Sequence, residues 1–284
     1  MKAAATSKSI SSSCFTLHNY GQSSTSVGFS PNFDYLCVGT SNSHIDIWSC
    51  SGNTLRTLKP STELAALDLN QIKSMDDIFE NGDGFMKRLI GHSGAISAVK
   101  MNRDSSAVLS ASFDCSVRLW SSITFSCLSS YKSHAFPVWD ADLSPLGHYF
   151  VSASADRTCR VWNLDYSYPV RVYGGHLSDV DSVKFHPNGC YFASGSSDKT
   201  CRLWDVYTGD CVRLFRGHSK PISALSFSKN GKLMAAGDFS GNVHVYDIGE
   251  GKLLWKTDFD ATPRSVLSLD FSYDDRILSV SFSD

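Results

Sequence analysis

The chain has 284 residues, of which 42% are hydrophobic and 12% aromatic, so it can bury a substantial core. Its 26 Lys and Arg residues nearly balance its 28 Asp and Glu residues, which excludes the surplus of positive charge that attracts a nucleic acid backbone. The chain contains no stretch of about 18 apolar residues, and Met1 to Cys14 lacks the apolar centre of a signal peptide. Composition therefore predicts neither a nucleic acid nor a membrane as a partner.

The amino end leads into the first of several similar units. We expect residues 1–12 to be disordered, whereas Cys14 to Leu17 are strand-like and would supply a strand that helps to close a ring. A degenerate unit then spans roughly Thr25 to Leu58, with a turn at Phe29-Ser30-Pro31-Asn32 and a tryptophan at Trp48. Later units show the same pattern more clearly and define its period.

An insertion at residues 58–88 separates the first unit from the second. Trp48 and Trp120 are 72 residues apart, far more than the interval of 42 residues between later units. Pro60-Ser61-Thr62-Glu63 has the form of a helix start, and the apolar stripe after it predicts one short amphipathic helix that ends near Asn81-Gly82. The insertion either docks a partner helix or packs on the protein's own side. Its candidate partner-binding residues are Leu64, Leu67, Met75 and Phe79.

Four well-formed units follow, and three sets of residues mark them at the same 42-residue interval. In the clearest unit, from Gly175 to Cys211, alternating residues predict strands, and His186-Pro187-Asn188-Gly189 and Ser197-Asp198-Lys199 predict the turns between them. This period and four strands per unit are typical of a β-propeller blade. The markers are Gly91-His92, Ser133-His134, Gly175-His176 and Gly217-His218; Asp114, Asp156 and Asp198; and Trp120, Trp162, Trp204 and Tyr246.

A sixth unit begins at Ser265 to Phe271 and Ile277 to Ser281, and the sequence contains no third or fourth strand for it. The predicted fold is therefore all-β: a propeller over residues 13–284 with five recognisable blades, a partial sixth, and one short helix in the insertion between blades one and two. Propellers avoid exposed sheet edges by closing into a ring. We therefore expect a shortened form or an unusual closure.

Three units carry His, Ser, Asp and Trp in register, which are also the residue types of a Ser-His-Asp catalytic set. Catalysis needs one exposed cleft with a base and an oxyanion hole, whereas three equivalent copies offer no single cleft. The pattern favours a buried hydrogen-bond chain in each blade, and we predict neither an enzyme nor a metal centre, since repeated histidines around a ring do not converge on one ion. These structural tetrads are His92, Ser110, Asp114 and Trp120; His134, Ser152, Asp156 and Trp162; and His176, Ser194, Asp198 and Trp204.

Other charged and thiol groups follow the repeat. The pairs Asp140/Asp142 and Asp179/Asp181 form either an electronegative binding rim or, as we favour, solvated and turn-pairing carboxylates. The phased arginines Arg118, Arg160 and Arg202 either meet an acidic partner or, as we favour, pair with carboxylates of neighbouring blades. No phosphate-cradling glycine loop is present.

The phased cysteines predict small buried hydrophobes in a reducing compartment, at Cys127, Cys159, Cys201 and Cys211.

Trp204-Asp205 and the Gly-His pairs resemble the marks of WD-repeat (WD40) proteins over nearly the whole chain. Within that family the sequence is similar to the TBP-associated factor five subunits of TFIID and their SAGA paralogues, although the family's amino-terminal regions and last blades have no counterpart in it. The residues that carry this similarity are Tyr131-Lys132-Ser133-His134, Pro137-Val138-Trp139-Asp140, Gly175-His176-Leu177-Ser178-Asp179-Val180-Asp181, Phe185-His186-Pro187-Asn188 and Val245-Tyr246-Asp247-Ile248-Gly249.

The resemblance implies a nuclear, non-catalytic scaffold that holds histone-fold subunits and other TBP-associated factors, with no cofactor and no small-molecule substrate. A general WD40 adaptor, such as a ubiquitin-ligase substrate receptor or a signalling scaffold, is the alternative, and a propeller hydrolase is a third hypothesis. The fifth blade departs from the tetrad, with Ala236, Ser240 and Tyr246 in place of Ser, Asp and Trp. By repeat phase, the candidate partner-binding residues on the rim of turns are Phe113, Phe136, Leu177 and Phe239.

Overall fold

Short strands that alternate between buried and exposed residues, separated by tight polar turns, form the whole of the described structure. The computed structural model describes residues 23–52, 54–58, 79–81, 84–257 and 264–283, and these residues contain β-strands and no helix. The strands form five four-stranded antiparallel sheets, a sixth sheet of two strands and one separate two-stranded hairpin. The predicted all-β propeller with five blades and a partial sixth is thus confirmed.

The strand bounds follow the repeat along the chain. Sheet 1 contains β1 (Ser24–Phe29), β2 (Tyr35–Thr40), β3 (His44–Ser49) and β6 (Met86–Ile90), and the hairpin is β4 (Arg56–Leu58) with β5 (Phe79–Asn81). Sheet 2 contains β7 (Ile96–Met101), β8 (Ala107–Ser112), β9 (Ser116–Ser121) and β10 (Cys127–Lys132). Sheet 3 contains β11 (Val138–Leu143), β12 (Tyr149–Ser154), β13 (Thr158–Asn163) and β14 (Pro169–Gly174).

The remaining strands repeat this order. Sheet 4 contains β15 (Val180–Phe185), β16 (Tyr191–Ser196), β17 (Cys201–Asp205) and β18 (Cys211–Phe215). Sheet 5 contains β19 (Ile222–Phe227), β20 (Leu233–Asp238), β21 (Val243–Asp247) and β22 (Leu253–Lys256), and sheet 6 contains β23 (Val266–Phe271) and β24 (Leu278–Phe282). Within each of sheets 2 to 6, each strand pairs with the next along the chain, as short turns favour.

The first strands of successive sheets pack against one another, which arranges the sheets radially. The apolar core lies between neighbouring sheets: Val151 and Val161 of sheet 3 pack against Val180, Val183 and Phe185 of sheet 4. Burying each such side chain contributes about 1.5–3 kcal/mol, so the seams between sheets are the main source of stability. Outer strands are tied across the seams too, since the hydroxyls of Tyr131 and Tyr173 donate to the carbonyl oxygens of Leu164 and Val206 in the next sheet.

The insertion lies inside sheet 1, not between blades one and two as the sequence predicted. The chain leaves sheet 1 after β3, forms the β4–β5 hairpin and returns as β6, the fourth strand of the same sheet. The guanidinium of Arg88 on β6 binds both carboxylate oxygens of the buried Asp46 on β3, at 2.8 and 3.1 Å. This bidentate pair fixes the returning strand.

The helix predicted in the insertion falls mostly on residues 59–78, which lie outside the described residues, as do the strand-like Cys14 to Leu17 and residues 1–12. Its predicted end is wrong, because Phe79–Asn81 is a strand that pairs with Arg56–Leu58. Backbone pairing between the two ends of the insertion overrode the apolar periodicity here.

The acidic residues on the first strand of sheet 3 bind the neighbouring sheet, contrary to the prediction that they are solvated or pair within turns. Asp140 accepts the backbone N–H of Val183 at 3.0 Å, and Asp142 accepts that of Phe185 at 2.9 Å. The ammonium of Lys184 lies 3.2 Å from Asp142. Burial alone would lower the pKa of Lys184, but Asp142 and Asp140 raise it, so this lysine remains charged. The two carboxylates therefore satisfy backbone N–H groups along the edge of β15.

The cysteines divide into two groups. The described cysteines are all free thiols. Cys159 and Cys201 are buried near the start of β13 and β17, as predicted, and burial raises the pKa of both thiols. Cys127 and Cys211 are exposed, so the prediction of burial is wrong for them. They lie on outer strands, where one face of the sheet meets solvent.

Candidate functional site: the tetrads and the rim

The structure joins the four predicted tetrad residues in sheets 2, 3 and 4. In sheet 3 the imidazole Nδ1 of His134 lies 2.7 Å from a carboxylate oxygen of Asp156, and its Nε2 lies 2.7 Å from the hydroxyl of Ser152. The indole N–H of Trp162 donates to the same hydroxyl at 2.9 Å. The chain of contacts therefore runs from the turn to the core. The matching distances are 2.8, 2.8 and 2.9 Å in sheet 2 and 2.9, 2.7 and 2.7 Å in sheet 4.

Each tetrad carboxylate also shapes the turn that carries it. Asp156 accepts the backbone N–H of Thr158 at 3.0 Å and its hydroxyl at 2.6 Å, while the intervening Arg157 adopts a left-handed conformation with φ of 66°. Burial alone would raise the pKa of Asp198, but bonds from Thr200 and His176 lower it to about 2. The pKa values of Asp114 and Asp156 are lowered for the same reasons, against the effect of burial. These carboxylates remain ionised at neutral pH.

Burial also acts on the tetrad histidines. It lowers the pKa values of His134 and His176, and the hydrogen bonds to Asp156 and Asp198 oppose that effect without cancelling it. Both rings are therefore neutral at pH 7. A carboxylate that faces Nδ1 fixes the tautomer with the proton on Nδ1, because the carboxylate is an acceptor only.

The tetrads have the hydrogen-bonding pattern of a Ser-His-Asp catalytic set, but their serines are not accessible to a substrate. The hydroxyls of Ser110, Ser152 and Ser194 belong to fully buried residues, and each oxygen already accepts an indole N–H. A nucleophile must meet its substrate at a solvent-accessible cleft. The tetrad hydrogen bonds satisfy these buried polar groups, and each bond contributes about 1 kcal/mol net to stability.

The phased arginines stay within their own sheets, contrary to the prediction that they pair with neighbouring blades. Arg160 lies 3.2 Å from Asp156 of its own tetrad and contacts Ser133. The guanidinium carbon of Arg118 lies 5.9 Å from the ring centre of Trp120, and that of Arg202 lies 5.8 Å from Trp204. These are cation–π contacts that cover the tetrad tryptophans.

Sheet 5 uses an aspartate that the sequence analysis missed. The imidazole Nδ1 of His218 lies 3.2 Å from the fully buried carboxylate of Asp238, at the end of β20, and Ser240 supplies no carboxylate. Asp238 occupies the repeat position of Ser112, Ser154 and Ser196, which accept a backbone N–H in the same turn. The signal was present in the sequence, as an acidic residue where sheets 2, 3 and 4 have serine.

The rim consists of the turns between second and third strands, together with the segments that precede each first strand. The His–Asp bonds hold these two sets of loops together on one side of the molecule. All four predicted rim residues are exposed there: Phe113 by 44%, Phe136 by 57%, Leu177 by 79% and Phe239 by 49%.

An aromatic contact and a crevice lie on the rim. Phe113 of sheet 2 packs edge-on against Trp139 of sheet 3, with ring centres 5.1 Å apart. A crevice of about 660 Å³ lies between sheets 3 and 4, lined by Phe136, Ala155, Asp156, Arg157 and Asp179. Exposed aromatic side chains beside such a crevice are the usual anchors of protein interfaces.

The other predicted partner-binding residues lie in the insertion. Leu64, Leu67 and Met75 lie outside the described residues, and Phe79 begins β5. Within the described part of the chain, no three or more His, Cys, Asp or Glu side chains are arranged to hold a metal ion. The same residues include no helix long and apolar enough to cross a bilayer.

Comparison with known proteins agrees with this geometry. The chain is 35% identical over 132 residues to transcription initiation factor TFIID subunit 5 of Encephalitozoon cuniculi, 46% of this chain and 23% of that protein. It is 38% identical over 119 residues to TFIID subunit 5 of Drosophila melanogaster, 42% of this chain and 17% of that protein. It is 40% identical over 117 residues to the SAGA complex/transcription factor TFIID complex subunit Taf5 of Schizosaccharomyces pombe, 41% of this chain and 16% of that protein.

The matched stretches thus span less than a quarter of these relatives' lengths. The family model described as WD domain, G-beta repeat, matches four segments that together make up more than half of the chain: residues 84–121, 125–163, 167–205 and 209–247. Each matched segment begins close to the outer strand of one sheet and ends on the third strand of the next, so the sequence repeat is offset from the sheet. The chain belongs to the WD-repeat family.

Proposed function

We propose that this chain is a non-catalytic WD-repeat scaffold of a nuclear transcription complex of the TFIID or SAGA type. The observation that carries the proposal is the combination of fully buried tetrad serines with exposed apolar side chains on the loops that the tetrads hold. Polar residues that a substrate cannot reach serve the fold, and the apolar rim above them is free to bind protein. The similarity to subunits named for TFIID and SAGA supports this choice of assembly.

The rim is the proposed binding surface, with Phe113, Phe136, Leu177 and Phe239 as anchors. A tetrad carboxylate or its substitute binds the backbone beside Phe113, Leu177 and Phe239. The hydroxyl of Ser154 donates to the carbonyl oxygen of Phe136. Because these loops are held in place, little conformational entropy is lost on binding. Other protein subunits are the proposed partners, histone-fold subunits and TBP-associated factors among them. Neither a cofactor nor a small-molecule substrate is required.

Affinity purification of the tagged chain from a nuclear extract, followed by mass spectrometry, tests the proposal. We expect recovery of histone-fold transcription subunits, and we expect the double variant Phe136→Ala/Leu177→Ala to reduce that recovery at least tenfold. The matched control is Val212→Ala, because Val212 is about as exposed as the rim anchors but lies on an outer strand. The control should leave recovery unchanged.

Two results would count against the proposal. Recovery of ubiquitin-ligase subunits in place of transcription subunits would favour the general adaptor. Equal recovery by the rim variant and the Val212→Ala control would move the binding surface away from the rim, although the scaffold assignment would stand.

A further inference from the structure

The charged side chains that are exposed on the rim are all cations in the part of the chain that the structure describes. They lie on turns between second and third strands or on segments that precede first strands, from sheet 3 to sheet 6. No salt bridge between described residues involves them, so they are available to an acidic partner. These residues, called the rim cations below, are Arg157, Lys199, Arg216, Lys220 and Arg264.

The carboxylates of the rim are turned inward. Asp114, Asp156 and Asp198 each bind a tetrad histidine and a backbone N–H of their own turn. Asp238 is fully buried. Asp179 is half-buried at the crevice between sheets 3 and 4. The charge that a partner meets first on the rim is therefore positive.

The opposite end of the molecule exposes both signs of charge. It consists of the turns between first and second strands and of those between third and fourth strands. Its exposed charged residues include Asp34, Asp104, Asp165, Asp274, Arg103 and Arg276. The net charge of -2 is thus distributed unevenly, because exposed acidic groups occupy this end and exposed cations occupy the rim.

In sheets 3 and 4 a rim cation lies beside an apolar anchor. Arg157 and Phe136 line the same crevice of about 660 Å³. The backbone N–H of Leu177 donates to the carboxylate of Asp198 at 3.1 Å, and Lys199 is the next residue along the chain. Arg157 and Lys199 stand at equivalent positions of their turns, with φ of 66° and 68°. Each turn therefore presents a cation next to an apolar side chain.

The same arrangement continues in sheets 5 and 6. The backbone N–H of Phe239 donates to the carbonyl oxygen of Pro221 at 3.0 Å, which places the turn that carries Phe239 beside Lys220. The carbonyl oxygen of Arg264 lies 2.7 Å from the point where a Cβ on Gly241 would stand, so Arg264 packs against the same turn. Positive and apolar side chains therefore alternate around the rim.

We propose that the rim of sheets 3 to 6 binds an acidic segment of a partner protein, in which Asp or Glu residues alternate with apolar side chains. The half-buried carboxylate of Asp179 repels an acidic group from the crevice, so the crevice takes an apolar side chain, and the acidic groups pair with the rim cations around it. This inference rests on the proposed function for the rim as the binding surface, and it adds the chemistry of the partner.

The two kinds of contact have different tasks. Exposed ion pairs each contribute little to affinity, whereas apolar side chains buried at the centre of an interface contribute most of it. Complementary charge instead raises the rate of association and disfavours basic partners.

The anchors favour a protein over a nucleic acid as the anionic partner. Both would pair with Lys and Arg, and aromatic side chains can stack on bases. Leu177, however, is the most exposed of the four anchors, at 79%, and an aliphatic side chain offers no face for stacking. An apolar side chain of a protein segment fits it better.

Fluorescence anisotropy with the whole chain tests the proposal. The probe is a fluorescein-labelled synthetic peptide in which Asp and Glu alternate with Leu, Phe and Ser. One reference peptide has Asn and Gln in place of the acidic residues, and a second has Ser in place of Leu and Phe. We expect micromolar binding of the probe and at least tenfold weaker binding of both references.

Three results of this titration would overturn the proposal. The first is that the probe does not bind. The second is that the Asn and Gln reference binds as tightly as the probe, because the cations would then have no role. The third is tighter binding of a labelled single-stranded oligonucleotide than of the probe, which would identify the rim as a nucleic acid surface.

Charge reversals locate the peptide on the chain. Arg157→Glu/Lys199→Glu should weaken binding of the probe at least tenfold, and Lys220→Glu alone should weaken it at least threefold. The matched control is Arg103→Glu/Arg276→Glu, which reverses two exposed cations at the opposite end and should change binding less than twofold. Equal weakening by the two double variants would mean that the total charge governs binding, and would contradict a site on the rim.

Failure of this inference and failure of the proposed assembly give different results. If the probe does not bind while the tagged chain still recovers histone-fold subunits, the assembly stands and the acidic chemistry of the partner is wrong. If the probe binds through the rim cations while no transcription subunit is recovered, the chemistry stands and the assembly is wrong.

Discussion

Sheets 3 and 5 share a strand order and a 42-residue spacing but differ in what they bury. Sheet 3 has a tetrad whose four polar side chains are all hydrogen-bonded, and its tryptophan packs against Tyr131 and Phe150. Sheet 5 keeps the same register between its second and third strands, although it lacks the tetrad serine, the turn aspartate and the tryptophan. The backbone plan of a blade therefore does not require the tetrad.

The comparison separates two physical tasks. Alternating apolar residues and short turns specify the strands and their order, because one buried face per sheet fixes the register. The tetrad instead fixes the two loops of the rim against each other and satisfies the buried polar groups between them. If this separation is correct, tetrad substitutions should reduce stability in sheet 3 far more than equivalent substitutions in sheet 5.

The largest effect should come from the tetrad carboxylate. Asp156→Ala leaves His134, Arg160 and the N–H of Thr158 without their acceptor, and loss of one partner of a buried charged pair costs about 3 kcal/mol or more. Urea denaturation should report this loss in the free energy of unfolding. The matched change is Ser240→Ala in sheet 5, which we expect to cost less than about 0.5 kcal/mol. Equal losses of stability in the two variants would contradict this difference between sheets 3 and 5.

A smaller effect is expected from the aromatic residue at the end of each third strand. Trp162→Phe removes the indole N–H that Ser152 accepts and leaves a partial cavity, at a cost of about 2 kcal/mol. Tyr246→Phe in sheet 5 removes one hydroxyl bonded to His244 and little volume, at a cost of about 1 kcal/mol. Thermal unfolding of the two variants tests the order of these two costs. A larger loss of stability in Tyr246→Phe than in Trp162→Phe would contradict it.

The tetrads contribute to the stability of the chain in a way that depends on pH. Burial lowers the pKa values of His134 and His176 in the folded state, so the unfolded chain binds their protons more tightly. Their contribution to stability is present above about pH 6.5 and is lost as the pH falls below it. Asp198, whose pKa is lowered to about 2, adds a second loss below about pH 4. Denaturant midpoints at pH 7.5, 5.5 and 3.5 should therefore decrease in that order.

The strands of sheets 2 to 5 could be predicted from the sequence because the repeat is regular and most turns carry Gly, Asn or Asp. The fourth strand of sheet 1 could not. The distance from Trp48 to Trp120 shows that residues are inserted, but not on which side of the fourth strand they lie. Pairing of Arg88 with Asp46 depends on a contact across the insertion, and no local pattern reports it.

The tetrad residues were identified by their repeat phase, whereas the substitute for the aspartate in sheet 5 was missed. Repeat phase pointed to Ser240 as the counterpart of the turn aspartate, while the structure uses Asp238, whose carboxylate reaches the same histidine from a strand. Side chains can exchange roles within one turn, because hydrogen bonding requires only that an acceptor arrive at the right point. The bonds from Asp140 and Asp142 to the next sheet were missed because they depend on how two sheets pack.

The smallest predicted effect concerns Asp181, which lies on the first strand of sheet 4. Asp181 has the repeat position of Ser97 and Ser223, whose hydroxyls donate to carbonyl oxygens of the next sheet. Burial, opposed by the bond from Ser197 and reinforced by Asp179, raises the pKa of Asp181 to about 6. A raised carboxyl pKa means that folding favours the protonated form, so its contribution is present below about pH 4 and is lost as the pH rises through 6.

Asp181→Asn removes that cost and keeps an oxygen that can accept from Ser197. Because the group is only half-buried, we expect a gain of about 1 kcal/mol at pH 8 and no gain at pH 4. Asp274→Asn, a change at an exposed carboxylate in sheet 6, should give no gain at either pH. Urea denaturation of both variants at the two pH values tests this prediction. A gain in stability of Asp181→Asn that did not depend on pH would mean that the shape of the side chain, and not its charge, causes the difference.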